Sequence, residues 1–88
     1  NQNLNLELFS PYPNPANSSL TIPYSTLKYE SISLTISDKL GRKLETITKE
    51  STGKNNFNLD ISKYSSGIYF YNLITESGFS KAGKAVKE

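Results

Sequence analysis

The sequence predicts an all-β protein built as an antiparallel β-sandwich of about seven short strands. In several short stretches, apolar residues alternate with Ser, Thr, Asn or charged residues, which is the pattern of a strand with one buried face. These stretches recur at roughly 8–12-residue spacing with turn residues between them, and no window shows helical periodicity. The predicted strands cover 4–8, 20–22, 32–36, 44–48, 57–61, 68–74 and 79–88.

A proline-rich connector follows the first strand. Pro11, Pro13 and Pro15 lie within five residues, and proline fixes φ and lacks a main-chain donor. The connector is therefore predicted to be rigid, with Asn14 closing a turn, and its second role would be a preformed surface for a partner. Pro23 is expected to interrupt the next strand in the same way.

The middle of the chain predicts a hairpin. Asp38 is suited to an Asx-turn and Gly41 to a positive φ, so both are explained by turn chemistry. Arg42 is an exposed cation just after the turn. The polar stretch 51–56, which contains Gly53, is predicted to be a loop rather than a strand.

The stretch from Ile68 to Ile74 is the most apolar part of the chain. Gly67 precedes it and is the natural positive-φ point of a tight turn. Tyr69 should bury its ring and hydrogen-bond its hydroxyl at the margin of the sheet. Phe70 then points outward, where it either marks a partner site or is covered by the terminal segment.

The last predicted strand is a weak core element because it contains mostly small and charged residues. Lys81, Lys84 and Lys87 suit a solvated edge strand that lysines protect from indiscriminate pairing. Such an edge also offers main-chain groups to a partner by β-augmentation.

Composition excludes several classes of function. There is no Cys and no His, so thiolate or imidazole metal ligands, cysteine nucleophiles and Ser-His-Asp triads are absent. The net charge of +2 is too balanced for a nucleic-acid binder. No apolar run approaches the length of a membrane span, and no signal peptide opens the chain. We therefore expect no catalysis, no metal and no cofactor.

Four short motifs occur in a fixed order along the chain. They are Tyr12-Pro13-Asn14-Pro15, Ile36-Ser37-Asp38-Lys39-Leu40-Gly41-Arg42, Leu59-Asp60-Ile61-Ser62 leading through Tyr64 to Ser66-Gly67-Ile68-Tyr69, and the lysine-bearing end. In order and spacing the chain resembles the type A C-terminal sorting domain of the type IX (Por) secretion system of Bacteroidetes. The resemblance extends from about Leu6 to Lys87, nearly the whole chain.

This resemblance implies an immunoglobulin-like sandwich at the C-terminus of a larger cargo, with residues 1–88 as one sorting domain and 1–5 as a candidate end of the linker. It implies that the cargo crosses the inner membrane with its own signal peptide. The outer-membrane translocon and its shuttle components would then read the domain, and a surface sortase removes it in many members. The cargo would be secreted or held at the cell surface. The resemblance adds a recognition role for the lysines of the last strand.

An alternative class remains open on the sequence alone. The chain could be an accessory structural or carbohydrate-binding β-sandwich of a secreted enzyme. Aromatic residues that could form a platform for stacking sugars are Tyr12, Tyr24, Tyr29, Tyr64 and Phe70.

Overall fold

The computed structural model describes residues 6–14 and 16–88 as one antiparallel β-sheet that curls over its own core. The described residues form five strands and no helix. The strands are β1 (Leu6–Leu8), β2 (Ser19–Asp38), β3 (Lys43–Asp60), β4 (Gly67–Thr75) and β5 (Ser80–Lys87). Both Pro15 and residues 1–5, for which a linker end was predicted, lie outside the described residues.

The long strand β2 organises the sheet. It pairs with β3 along nearly its whole length, with β1 through residues 24–26 and with β4 through residues 32–38. The last strand, β5, pairs with β4. Between Thr26 and Glu30 the register with β3 shifts, because three residues of β2 lie opposite one residue of β3. Such a bulge bends both strands and lets the sheet curl.

The structure confirms the all-β class and the antiparallel pairing, and the immunoglobulin-like sandwich stays a prediction. Five strands, not about seven, are described because β2 and β3 continue through the bend. The predicted loop at 51–56 is wrong: these residues belong to β3, where pairing of the main chain with β2 outweighs their polar composition. Gly53 provides the positive φ of 75° at this point.

The predicted interruption at Pro23 is also wrong. Pro23 lies inside β2 opposite Asn56, and its carbonyl accepts the main-chain N–H of Phe9 at 3.0 Å. The main-chain groups of one strand residue point to the same side in an antiparallel ladder. The missing donor of Pro23 therefore falls on the β1 side, so the pairing with β3 is left intact.

The core lies inside the curl and consists of the inward side chains of every strand. Its largest fully buried members are Tyr24, Phe57, Leu6, Leu20, Ile22, Ile32, Leu34, Ile36 and Leu73. The rings of Tyr24 and Phe57 lie 5.2 Å apart, and the buried Tyr24 hydroxyl is 2.7 Å from Oγ of Ser51. A buried hydroxyl with a partner avoids the penalty of an unsatisfied polar group.

Candidate functional site: four motifs at one end of the sheet

The four motifs meet at one end of the curled sheet. There β2 ends at Asp38, β4 begins at Gly67 and β5 ends at Lys87. Asp38 pairs with Tyr69, and Gly67 pairs with Lys87, so the second, third and fourth motifs occupy neighbouring strands.

The first motif closes over the end of β5. Oδ1 of Asn14 accepts the main-chain N–H of Val86 at 3.0 Å. Ala16 then donates its N–H to the Val86 carbonyl at 2.8 Å and accepts the N–H of Glu88 at 2.7 Å. We call Asn14 and Ala16 with these three bonds the clasp. The clasp satisfies main-chain groups that point away from β4 at the end of an edge strand.

The hairpin of the second motif is held by one carboxylate. Oδ1 of Asp38 accepts the main-chain N–H groups of Leu40 and Arg42, and Oδ2 accepts Nε of Arg42 at 2.7 Å. Gly41 has a φ of 86°, which confirms the predicted turn conformation. Partial desolvation opposes ionisation of Asp38, but the hydrogen bonds from Arg42 and Leu40 and the guanidinium charge together lower the pKa of this carboxyl.

The third motif forms the turn into β4. Gly67 has a φ of 146°, as predicted. The Tyr69 ring is buried, and its hydroxyl donates to the Ser65 carbonyl at 2.6 Å, which confirms the prediction for this residue. Tyr64 stacks on Tyr69 with ring centroids 5.2 Å apart and donates to Glu45 at 2.7 Å. Burial, followed by the bond to Glu45, strongly raises the pKa of Tyr64, so its hydroxyl stays protonated.

A cavity of about 170 Å³ separates the second motif from the third. It is open to solvent and has both polar and apolar walls. Its lining residues are Asp38, Lys39, Leu40, Arg42, Ser65, Ser66, Gly67, Ile68 and Tyr69. The Arg42 side chain is largely exposed at its rim, as the sequence predicts.

The lysines of the last strand do not behave alike. Lys81 and Lys84 are exposed, as predicted, but Lys87 is only 9% exposed, so its assignment as a solvated edge residue is wrong. In β5 residue 87 shares the inward face with Ala85, because both lie at alternate positions of the strand and are buried. The stem of Lys87 packs inward, and Nζ donates to the main-chain oxygen of Glu88 at 3.2 Å.

Phe70 points outward, as the alternation predicts, and is 45% exposed. The terminal strand pairs beside it, with Lys84 directly opposite, and does not cover it. On its other side Phe70 pairs with Ser37, which in turn pairs with Lys43. The sequence alone did not place Ser37 and Lys43 beside Phe70, because only the strand register brings them there.

The five aromatic residues named for the carbohydrate-binding alternative do not all lie at the surface. Tyr24 is fully buried in the core. Tyr12 lies beside Thr21, Tyr29 bonds Glu50 at the bend of β2, and Tyr64 packs on Tyr69. Tyr12, Tyr29 and Tyr64 therefore each lie against a different neighbour.

Among residues 6–14 and 16–88, no group of acidic side chains is arranged to hold a metal ion. In the same residues, no helix is long and apolar enough to cross a membrane.

The fold is thus all-β, and the motif residues gather at one outer end of its sheet. The family profile described as "Secretion system C-terminal sorting domain" matches residues 10–88. This match covers most of the chain, so the chain belongs to that family of sorting domains.

None of the curated proteins compared with the chain matches it. Among solved structures, the chain is similar to the crystal structure of dimeric latent PorU from Porphyromonas gingivalis, with a TM-score of 0.76 and 21% sequence identity. The alignment covers 93% of this chain and 9% of that one, so the chain corresponds to a small part of that protein. At this identity the likeness supports the fold alone.

Proposed function

We propose that the chain is a single, non-catalytic C-terminal sorting domain that directs an attached cargo across the outer membrane through the type IX secretion system. Membership of the sorting-domain family supports this role. The sorting role requires no cofactor, because the domain only has to be bound by the secretion machinery. We also propose that the curled sheet is an immunoglobulin-like sandwich whose two layers are joined through the bend of β2 and β3.

The observation that carries the proposal is the meeting of the four motifs at one end of the fold. A linear signal would need only the terminal segment. Here Val86 is bonded to Asn14, 72 positions earlier, and Lys87 pairs with Gly67. Asp38 and Tyr69 lie in the adjacent strands. The recognition signal is therefore a folded surface, assembled from segments that are distant in sequence.

The partners in this scheme are the outer-membrane translocon and its shuttle components, and the cargo domain of the same chain. After export a surface sortase removes the domain, and the cargo stays at the surface or enters the medium. The recognition residues would be those of the motifs: Pro13, Asn14, Pro15, Asp38, Gly41, Arg42, Gly67, Tyr69, Phe70, Lys81, Lys84 and Lys87. Buried Lys87 would act by holding the end of β5 in place.

A passenger-export experiment tests the proposal. A fluorescent passenger with its own signal peptide is fused to the intact domain or to a domain lacking residues 81–88, in a type IX-competent bacterium. We expect the intact domain to bring the passenger to the surface or medium and the shortened domain to leave it in the periplasm.

Circular dichroism of the shortened domain separates loss of signal from loss of fold. A second variant, Asn14→Ala, keeps the full length of the domain and weakens the clasp. The control for this variant is Asn17→Ala, which changes an exposed residue nearby. Equal export by the intact and the shortened domain would show that the terminal strand carries no sorting information. Failure of the intact domain to export would overturn the proposed function itself.

A further inference from the structure

The outward face of the sheet carries an ordered row of side chains beside the motif end. Lys43, Ser37, Phe70 and Lys84 are successive register partners across β3, β2, β4 and β5. Direct neighbours in such a row have their Cβ atoms about 5 Å apart. One aromatic ring is therefore held between a serine and a lysine, with a second lysine one strand further away.

Two aliphatic side chains extend this row toward the end of the sheet. Ile68 precedes Phe70 by two residues on the same face and pairs with Val86 of β5. Ile68 is 42% exposed and Val86 41%. We call Ile68, Phe70, Val86, Lys84 and Lys43 the Phe70 face. Exposed apolar side chains scattered singly are ordinary, but three adjacent ones beside a recognition site indicate contact with a partner.

The same strand carries an isolated apolar residue that serves as an internal comparison. Ile74 lies on the outward face of β4 and is 46% exposed, about as much as Phe70. The pair Asn72 and Ala82 separates it from Phe70, and Ser33 and Ser80 are its own partners. Ile74 is therefore outside the Phe70 face.

The charge on the Phe70 face is positive. The outward positions of β2, β4 and β5 at this end, namely 37, 68, 70, 84 and 86, include no acidic residue. Of the carboxylates near this face, Asp38 holds Arg42 and Glu45 accepts the Tyr64 hydroxyl. Glu88 is exposed two residues beyond Val86, at the outer limit of the face, whereas the two lysines lie in the same row as Phe70. A partner that covers three apolar side chains between two exposed lysines would match this face best with apolar groups rimmed by carboxylates.

We propose that the Phe70 face docks a protein of the outer-membrane secretion machinery through an apolar patch rimmed by Asp or Glu. The proposal rests on the proposed function and names the chemistry of the partner surface. A protein is favoured over a glycan because Ile68 and Val86 offer aliphatic contact area, whereas sugar binding uses flat aromatic rings and hydrogen bonds. Aromatic side chains that become buried when a partner binds carry much of the binding energy of protein interfaces.

The test uses the passenger fusion with two single variants and one matched control. Phe70→Thr removes the ring and keeps a residue that favours strands, and Lys84→Glu reverses the charge beside it. Ile74→Thr makes a comparable apolar-to-polar change on the same strand and face, at similar exposure. Loss of an aromatic anchor weakens binding by about tenfold or more. We expect the first two variants to hold the passenger in the periplasm, and Ile74→Thr to export it as the unchanged domain does.

A photo-crosslinking residue at position 70, compared with the same residue at 74, identifies what touches the face in cells. The expected product at 70 is a protease-sensitive adduct that mass spectrometry assigns to an outer-membrane component of the secretion system. An adduct that survives protease and carries glycan would overturn the choice of a protein partner.

The two proposals fail in different ways. Suppose that Phe70→Thr and Lys84→Glu export normally while the domain lacking 81–88 is retained. The Phe70 face is then not the docking surface, although the proposed function stands. Retention of the intact domain overturns both proposals. Urea midpoints of each variant show that any retention arises in a folded domain.

Discussion

The side chain of Asn14 accepts the main-chain N–H of Val86 at 3.0 Å, and this bond joins the first motif of the chain to the last. Ala16 adds main-chain hydrogen bonds to Val86 and to Glu88, the residues on either side of Lys87. An edge strand with unpaired main-chain groups invites pairing with other chains. The clasp closes this edge at residues 86–88, whereas Ala82 and Lys84 make no main-chain hydrogen bond beyond β4 in the described part of the chain. Any β-augmentation by a partner is thereby directed to the middle of β5.

Replacing Asn14 by Ala should loosen the end of β5 without unfolding the domain. The variant loses one hydrogen bond to the main chain, which is worth about 1 kcal/mol. We expect a correspondingly lower urea midpoint and faster amide hydrogen exchange at Val86 and Glu88. Asn17→Ala, at an exposed position of the same connector, should leave both unchanged. Unaltered exchange at Val86 in the Asn14 variant would show that the clasp adds no stability.

Gly83 is required by the ring that lies across it. A Cβ at position 83 would lie 2.7 Å from Oη and 2.8 Å from Cζ of Tyr71. Tyr71 is buried at its register position opposite Gly83, so its ring has little room to withdraw. Overpacking of this kind costs about 1–3 kcal/mol, so Gly83→Ala should lower the urea midpoint.

A double-mutant cycle with Tyr71→Ala assigns that cost to the ring. Once the ring is gone, Gly83→Ala should be neutral or stabilising, because alanine suits a strand better than glycine. If Gly83→Ala lowers stability equally with and without the Tyr71 ring, the strain does not arise from that ring.

Gly67 is required for its backbone conformation alone. Its φ is 146°, and a Cβ there would meet no atom within 4 Å. Gly67→Val should therefore cost roughly 1–3 kcal/mol through backbone strain, with no steric term. Urea denaturation measures the cost. D-alanine at 67, introduced by chemical synthesis, should restore most of the stability because it favours positive φ. A valine variant with an unchanged midpoint would mean that the turn relaxes to an ordinary conformation.

Features that depend on local chemistry were predictable from the sequence. The turn glycines, the burial of Tyr69 and the outward direction of Phe70 follow from turn preferences and from the period of two in a strand. Each of these needs only a few neighbouring residues. The resemblance to the family gave the order of the motifs along the chain, but it did not predict that they lie together at one end of the sheet.

Features that depend on register were not predictable. The buried position of Lys87 depends on the register of β5 against β4, which pairs residue 87 with Gly67, 20 positions earlier in the chain. The bond from Val86 to Asn14 requires the complete sheet. The polar stretch at 51–56 looks like a loop until its pairing with β2 is known. In each case a partner distant in sequence decides the outcome, and composition does not reveal it.

The hairpin held by Asp38 should make stability depend on pH in a specific way. The bonds from Arg42 and Leu40 lower the pKa of Asp38 below its ordinary value of 3.8. A carboxyl whose pKa is lowered by folding contributes stability that is fully present above the unfolded pKa and is lost as the pH falls through the folded one. Asp38→Asn should therefore be less stable than the unchanged domain at pH 7. The gap between the urea midpoints of the two proteins should narrow below about pH 4 and close in stronger acid.

Urea midpoints of both proteins from pH 2 to pH 7 measure this gap. Asp60 also has a lowered pKa, caused first by its bonds with Ser62, so the unchanged domain titrates at more than one carboxyl. The difference between the wild-type and Asp38→Asn proteins isolates the contribution of Asp38, because Asp60 is common to both. Arg42→Gln removes the guanidinium while Asp38 keeps its main-chain donors, so it should reproduce part of the gap. A gap that stays constant down to pH 2 would mean that the ionised form of Asp38 does not hold the hairpin.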